Sequence, residues 1–356
     1  MTEQQPTPVG PDLHLRDYAP RPAVRTRITE VHHPAHDVID AHNHLGRWLS
    51  KDWMTPDVDE LLALLDAAHV STVVNLDGKW DDELDANLDR YDRAHPGRFI
   101  TFCQADWSLL LTDDPAPRLV DQLRRSVDTG ARGLKIWKDV GLEVRDGSGT
   151  LVMPDDERLQ PLFAEAGALG VPVLIHTADP IAFFQPLDRH NERVDELAEF
   201  PEWWFGGPGR PSFDALIDSL ERLVGSCPQT TFIGAHVGCA AEDLARVDAM
   251  LTAYPNFVVD LSARMAELGR QPRASKKLIE RHPKRVLFGS DAFPVSLEDY
   301  HVWYRFLETD DECFDYAPTE EIPPQGRWQV SALDLPKHLL ADLYAGNARR
   351  VLGLSP

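Results

Sequence analysis

The sequence has 356 residues, of which 36 are basic and 58 acidic, and its formal net charge is −22. So acidic a chain repels a nucleic-acid backbone on average, which argues against DNA or RNA as a partner. The sequence contains no apolar run near the roughly 20 residues needed to cross a bilayer, and its first ten residues lack the basic and apolar regions of a secretory signal. We therefore expect a cytoplasmic protein that does not enter a membrane.

The cysteines are widely spaced and include no Cys-x-x-Cys pair. They are Cys103, Cys227, Cys239 and Cys313. This spacing argues against a disulfide framework and against a zinc site built from thiolates. We expect all four to be reduced.

Residues 1–37 are rich in proline and polar side chains and show no periodic apolar pattern. This composition predicts an N-terminal arm rather than a domain. The arm contains His32, His33 and His36, which raises the alternative of a metal site. Because Pro34 interrupts the segment and no carboxylates or cysteines converge on it, we expect solvated histidines instead.

From residue 38 onward, apolar segments typical of β-strands alternate with helical patterns. The predicted strands are Val38–His42, Ser71–Leu76, Phe99–Gln104, Gly133–Trp137, Val171–His176, Thr230–Ala235, Phe257–Leu261 and Arg285–Ser290. The predicted helices are Pro56–Ala68, Glu83–His95, Ala116–Thr129, Asp155–Leu169, Phe213–Val224, Ala241–Tyr254, Ala274–His282 and Leu297–Leu307. Eight such units predict an α/β fold, specifically a (β/α)8 TIM barrel over residues 38–356. A doubly wound sheet is the alternative, but no glycine-rich phosphate turn follows any strand.

Two segments interrupt the alternation. Residues 177–211 form a long, aromatic connection after the fifth strand. In a barrel it emerges on the face where active sites are built, so we predict an active-site loop, with a subunit interface as the alternative. Residues 308–356 are predicted to form a C-terminal extension whose final helical stretch, Pro336–Val351, packs against the barrel.

Four histidines and one aspartate follow the predicted strands. His42 and His44 belong to a His-x-His pattern at the first strand, and the others are His176, His236 and Asp291. Alternation along a strand directs His42 and His44 to the same side. Because barrel closure gathers all strand ends around one axis, we expect these side chains to meet at a divalent cation.

These motifs, with Gly-Ser-Asp at 289–291, resemble the metal-dependent amidohydrolase superfamily over about residues 38–352. The resemblance is to its amidohydrolase-related branch, which includes mononuclear hydrolases, lactonases and decarboxylases similar to aminocarboxymuconate-semialdehyde decarboxylase. It implies that His42, His44, His176 and Asp291 bind the metal, while His236 acts as acid, base or polariser. We expect one divalent ion, zinc or alternatively manganese.

The expected reaction is hydrolysis of an amide, lactone or ester, because a divalent ion with an open position brings the pKa of water toward about 7. Asp291 would take the proton and His236 would polarise the carbonyl or protonate the leaving group. The alternatives are non-oxidative decarboxylation of an aromatic or unsaturated acid, and a non-catalytic metal-binding barrel. Relatives similar to the decarboxylases often carry a glycine run after the sixth-strand histidine, whereas this chain has Val237-Gly238-Cys239.

We expect a small, anionic or aromatic substrate, bound by Lys135, Arg47, Trp48 and Arg193. Alternation points Lys135 inward, where it would pair with a substrate anion. Two other roles stay open for it: a carboxylated lysine bridging a second ion, as in binuclear relatives, and a structural ion pair. For each arginine the alternative is a salt bridge to one of the 58 acidic residues. A homodimer is compatible with a barrel of this kind.

Overall fold

The computed structural model describes residues 13–14, 18, 23–47 and 51–355. Within them, nine short strands follow one another along the chain. They are β1 (Val38–Asn43), β2 (Val70–Asn75), β3 (Phe99–Thr101), β4 (Cys103–Gln104), β5 (Leu134–Ile136), β6 (Val173–Ile175), β7 (Phe232–Gly234), β8 (Phe257–Asp260) and β9 (Val286–Leu287). Because β3 and β4 are separated only by Phe102, they are two halves of one strand, and the chain has eight strand positions.

The strands form a parallel sheet β1-β2-β3 and a parallel sheet β4-β5-β6-β7-β8-β9. Backbone hydrogen bonds join the two sheets at both edges. The N–H of Phe102 donates to Asn75 at 2.9 Å, and that of Ala41 donates to Phe288 at 3.0 Å. A third bond runs from the N–H of Asp291 to His42 at 2.9 Å. The strands therefore surround one axis, and the predicted (β/α)8 barrel is confirmed.

Helices cover the outside of the barrel. The longer ones are Val58–Ala67, Asp81–Leu88, Pro115–Thr129, Gln160–Ala168, Phe213–Ser226, Leu244–Ala253, Pro272–Arg281 and Leu297–Glu308. Pro115–Thr129 shows why they form: proline occupies its first turn, and Leu119 and Leu123, one turn apart, are buried. Phe213–Ser226 begins at Ser212, whose Oγ accepts from the backbone N–H of Ala215. None of the helices in the described part of the chain combines the length and the apolar character that crossing a membrane requires.

The C-terminal helical stretch closes the bottom of the barrel. It is divided into Lys337–Ala341, a π-helical turn Asp342–Gly346, and Asn347–Leu352. Leu343 accepts a backbone hydrogen bond from Phe288 at 3.0 Å, and the Asn347 amide donates to the carbonyl of Val286 at 2.8 Å. These bonds hold the stretch directly under β9.

Two further segments lie outside the barrel. Residues 23–37 of the N-terminal arm contain no helix or strand and are held by side chains near the helix Leu297–Glu308. The backbone N–H of Thr29 donates to Asp311 at 2.7 Å, and that of Ala35 donates to Glu308 at 2.9 Å. The connection 177–211 includes the short helices Ile181–Phe184, Val194–Glu199 and Pro201–Trp203.

Candidate metal centre

Three side chains predicted as metal ligands lie together where β1 and β9 end. The ligand atoms of His42, His44 and Asp291 all lie within 4.8 Å of one another. Nε2 of His42 is 3.7 Å and Nε2 of His44 is 3.4 Å from the same oxygen, Oδ1 of Asp291. The close approach of β9 to β1 depends on Gly289, where a Cβ would lie 2.8 Å from the Cβ of His42. Barrel closure therefore produces the predicted convergence.

Buried carboxylates orient the two imidazoles. Nδ1 of His42 is 2.9 Å from Asp260, and Nδ1 of His44 is 2.7 Å from Asp77. Because a carboxylate only accepts, each Nδ1 carries the hydrogen and each Nε2 presents its lone pair toward Asp291. This carboxylate–histidine pairing is the arrangement that supports metal-binding histidines.

The atoms at the centre fit a divalent cation. Nε2 of His42 and Oδ1 of Asp291 are buried and make no hydrogen bond to any described residue. Buried polar atoms are almost always partnered, so two such atoms facing each other indicate a ligand between them. Two imidazole nitrogens and a carboxylate oxygen are the donor set that zinc and its neighbours accept.

His176 follows β6 and lies at the edge of this cluster. Its Nε2 is 3.2 Å from Oδ1 of Asp179, whose other oxygen contacts the Lys138 ammonium. Burial lowers the pKa of His176 to about 3, in spite of the opposing charge of Asp179, so the imidazole is neutral. His176 does not join His42, His44 and Asp291 in the group described above. Its role as a third nitrogen ligand therefore stays a prediction.

His236 lies beside the cluster with a defined tautomer. Its Nδ1 is 3.0 Å from the backbone carbonyl of Ser262, which can only accept, so Nδ1 carries the hydrogen. Its Nε2 is left as an acceptor, 4.0 Å from Oδ2 of Asp291. Burial, together with the nearby His176 and Arg264, lowers the pKa of His236 well below its usual range. The side chain is thus a neutral imidazole whose Nε2 faces Oδ2 of Asp291.

The backbone at this end of the barrel adopts left-handed conformations without glycine. His236 has φ 57°, Val237 has φ 60° and Asp291 has φ 56°. Such conformations cost of order 1 to 3 kcal/mol each for residues with a Cβ and concentrate at functional sites. They turn the chain sharply after β7 and β9, which places His236 and Asp291 over the barrel mouth.

A cavity of about 770 Å³ opens above the cluster. His44, His176, His236 and Asp291 form part of its wall, and the connection 177–211 supplies much of the rest. The aromatic residues that line it are Trp137, Phe183, Phe200, Trp203, Phe205 and Phe293. The cavity is large enough for a small organic molecule.

The four predicted substrate-binding residues differ in position. Lys135 lies under the cluster, 1% exposed, with no hydrogen bond at Nζ and its ammonium 4.8 Å from the Trp137 ring. Burial lowers its pKa to about 8. Arg193 lines the cavity, but its guanidinium is paired with Glu196 at 2.7 Å and with Glu267.

The other two substrate-binding residues are the pair that directly follows Gly46. Arg47 is paired with Glu83 through two hydrogen bonds of 3.0 and 2.6 Å and stacks on Trp53, and it is not part of the cavity wall. Trp48 lies outside the described residues. The structure thus brings Lys135 and Arg193 near the cluster and leaves Arg47 in a salt bridge.

Sequence reasoning missed Asp179 and Asp260, and it did not identify Asp77 as the partner of His44 or Ser262 as the partner of His236. Asp260 carried a usable signal, because a charged residue inside the apolar run Phe257–Leu261 must find a buried partner. It accepts from His42, from the Ser262 hydroxyl at 2.5 Å and from the backbone N–H of His236 at 2.9 Å. Asp260 therefore links the metal cluster to the base beside it.

Solved structures with the same fold come from several bacteria. The chain is 17% identical to 2,6-dihydroxybenzoate decarboxylase from Rhizobium, covering 89% of this chain and 98% of that one, with a TM-score of 0.57. It is 16% identical to a manganese-bound dihydroxybenzoic acid decarboxylase from Polaromonas sp. JS666, crystallised with the inhibitor 2-nitroresorcinol (89% and 97% covered, TM-score 0.55). A zinc-bound amidohydrolase from Burkholderia multivorans is also 16% identical (90% and 100%, TM-score 0.52). At such identities the likeness shows the shared fold.

Sequence comparison gives the family. No curated protein matches the chain. The family model described as "Amidohydrolase" matches residues 39–354, which is nearly the whole barrel with its C-terminal stretch. The resemblance seen in the strand-end motifs is thereby confirmed, and the chain belongs to the amidohydrolase family.

Proposed function

We propose that this protein is a metal-dependent hydrolase that cleaves an amide, lactone or ester of a small molecule. One observation carries the proposal: His42, His44 and Asp291 converge within 4.8 Å, and the facing atoms of His42 and Asp291 are buried without a partner. We propose that His42, His44, Asp291 and His176 hold one divalent cation, zinc or manganese. A cytoplasmic location and a homodimer remain predictions.

When bound, such a cation supplies Lewis-acid chemistry: it polarises a carbonyl and acidifies water. The two oxygens of Asp291 face different residues. Oδ1 faces His42 and His44, whereas Oδ2 faces Nε2 of His236 at 4.0 Å. With a cation bound, Asp291 would take a proton from the attacking water, and one water in the 4.0 Å gap between Oδ2 and Nε2 would relay it to His236, which would deliver it to the leaving group.

The hydrogen bonds around His236 are compatible with this proton path. Since Nδ1 of His236 is already protonated and bonded to the Ser262 carbonyl, only Nε2 is available to accept a proton. The developing imidazolium would be stabilised by that carbonyl and by Asp291. Asp260 fixes the segment from the other side, because it binds the backbone N–H of His236 and the Ser262 hydroxyl.

The test combines metal analysis with turnover. Protein purified without chelators is expected to contain one equivalent of zinc or manganese, and to hydrolyse at least one member of a panel of small aromatic amides, lactones and esters. His236→Ala is expected to keep the metal and lose turnover about 10²- to 10⁴-fold. The matched control is His338→Ala, which changes an exposed histidine. Absence of stoichiometric metal, or an unchanged rate in His236→Ala, contradicts the proposal.

A second candidate is non-oxidative decarboxylation of an aromatic acid. The observation in its favour is the aromatic wall, in which Phe200 and Trp203 stack at 4.3 Å and 16°, and Phe183 lies parallel to Trp203. The Rhizobium and Polaromonas structures bear the names of decarboxylases that act on such acids. Release of carbon dioxide from dihydroxybenzoates, with no ester, lactone or amide cleaved, would favour this candidate. Tight metal binding with neither reaction would favour a non-catalytic barrel.

A further inference from the structure

We propose that Arg264 is the residue that binds an anionic group of the substrate, and that this group is a single carboxylate. The inference rests on the proposed function, because it concerns the cavity above the same metal cluster. The sequence analysis expected Lys135, Arg47, Trp48 and Arg193 to bind the substrate, and the inference places the anion contact on Arg264 instead.

The cations that line the cavity differ in their ion pairing. Lys138 contacts Asp179, and Arg193 is paired with Glu196 and Glu267. The guanidinium of Arg264, by contrast, has no carboxylate oxygen within 4.0 Å anywhere in the described ranges. Its recorded side-chain hydrogen bond is a 2.9 Å contact from NH1 to the carbonyl of Ala263. Arg264 therefore has no directly bound carboxylate among the described residues, although its charge reaches Glu196 and Glu242, where burial raises the pKa of each carboxyl and Arg264 opposes that rise.

Burial makes that charge significant. Arg264 is 6% exposed, and its surface belongs to the cavity. Partial removal of a guanidinium from water is costly, and because no donor of Arg264 is fully buried without a partner, its remaining donors face the cavity. A bound anion would offset this cost, because charge-assisted hydrogen bonds are stronger in a shielded cavity than at the protein surface.

The site around Arg264 is rigid. Its backbone N–H donates to Leu261 at 3.2 Å, and its carbonyl accepts from Leu268 at 3.0 Å. The preceding residue, Ala263, accepts a 2.9 Å hydrogen bond from the side chain of Gln325, which also lines the cavity. These hydrogen bonds fix the backbone on both sides of Arg264, so its side chain starts from a well-defined position.

The charged residues that line the cavity favour a carboxylate over a phosphate. Arg264 lies two residues after Ser262, whose carbonyl accepts from Nδ1 of His236 at 3.0 Å, so it belongs to the part of the wall next to His236. The same wall carries several carboxylates, including Asp139, Glu143 and Glu199. A phosphate dianion would be repelled by these charges, whereas one planar carboxylate matches the guanidinium fork and adds a single charge. The aromatic wall then accommodates the body of an aromatic acid.

The experiment compares benzoate with benzamide, which has the same shape but no charge. Binding is measured by calorimetry at pH 7.5 to wild-type protein, Arg264→Met and the control Arg222→Met, a surface arginine paired with Asp155. Wild type and the control are expected to prefer benzoate. Arg264→Met should weaken benzoate binding about tenfold or more and leave benzamide binding unchanged. Arg264→Lys, which keeps the charge but loses the fork, should retain part of the preference.

Each sample is also analysed for metal and for its thermal unfolding midpoint, and the titrations are repeated after treatment with a chelator. Chelated wild type is expected to keep its preference for benzoate, because Arg264 and not the cation carries it. Missing metal in untreated wild type would refute the proposed function but not this inference. Equal binding of benzoate and benzamide by wild type, or an unchanged preference in a folded Arg264→Met protein, overturns the inference.

Discussion

Within the part of the chain that the structure describes, neighbouring histidines occur both at the barrel mouth and along the N-terminal arm, and their surroundings differ. At the barrel mouth, His42 and His44 are at most 3% exposed, and a buried carboxylate holds the far nitrogen of each ring. At the N-terminal arm, the imidazoles contact each other instead. Nδ1 of His32 is 3.4 Å from His301, and Nδ1 of His33 is 2.8 Å from His69.

The difference teaches that orientation, rather than the number of imidazoles, makes a metal site. A carboxylate behind each ring fixes which nitrogen is protonated and directs the lone pair of the other one. In the arm, a hydrogen bond between two rings requires the lone pair of one of them, which is then unavailable to a cation. His32 also bonds Glu30 from its other nitrogen, at 3.2 Å. That the arm histidines form no metal site remains a prediction.

Exchanging one histidine in each group tests the comparison most directly. His42→Ala removes an imidazole nitrogen from the proposed centre, and we expect metal affinity to fall by more than about a hundredfold, with loss of turnover. His32→Ala should leave metal content and turnover unchanged. Elemental analysis after dialysis against a metal buffer measures both. Stoichiometric metal in His42→Ala, or metal loss in His32→Ala, would break the contrast between the two groups.

Removing a supporting carboxylate has a smaller expected effect. Asp77→Asn keeps the shape of the side chain behind His44 but removes its charge, so we expect metal affinity to fall about 10- to 100-fold. Asp106→Asn is the matched control. Asp106 also follows a strand, but it caps a short helix by accepting from the backbone N–H of Ser108 at 3.0 Å. If both variants bind metal equally, the carboxylate behind the ring is not what distinguishes the site.

Lys135 offers a third, weaker test. Its ammonium is buried beside the cluster, and burial lowers its pKa to about 8. If its main effect is electrostatic repulsion of a cation, Lys135→Met should raise metal affinity a few-fold, because it removes a neighbouring positive charge. If Lys135 is a carboxylated ligand, the same change should lower metal affinity, and the wild-type mass should rise by one carboxyl group in bicarbonate buffer. Competition with a calibrated chelator distinguishes these outcomes.

The strand-end histidines and Asp291 could be predicted because barrel closure depends only on the alternation of strands and helices. Side-chain pairing could not be predicted in the same way. Arg193 is paired with Glu196, three residues further along, and with Glu267, which is distant in sequence, whereas neither is paired with Arg264. The sequence alone does not show which arginine these carboxylates contact. The contact between His176 and Asp179 likewise depends on rotamers that no periodicity encodes.

Backbone conformation at the mouth was also hidden from sequence reasoning. Left-handed residues are usually signalled by glycine, but His236, Val237 and Asp291 adopt this conformation without it. Long-range hydrogen bonds hold two of these residues: the backbone N–H of His236 donates to Asp260, and that of Asp291 donates to the carbonyl of His42, each at 2.9 Å. A sequence pattern reports local preference, and here the tertiary structure overrides that preference at the positions closest to the proposed chemistry.

The smallest expected effect concerns the arm. Burial and the nearby His32 and His33 lower the pKa of His301, with Glu298 opposing them. The unfolded chain therefore binds a proton at His301 more readily than the folded one, so this contact stabilises the protein above the ordinary histidine pKa and loses that contribution as pH falls through it. Because the ring is partly exposed and the charges are screened, we expect a difference below about 1 kcal/mol. Urea unfolding at pH 8.0 and 5.5 measures it: wild type should lose more stability on acidification than His301→Gln, while metal affinity at pH 8.0 stays equal. Identical pH dependence in both proteins would show that titration of His301 contributes nothing to stability.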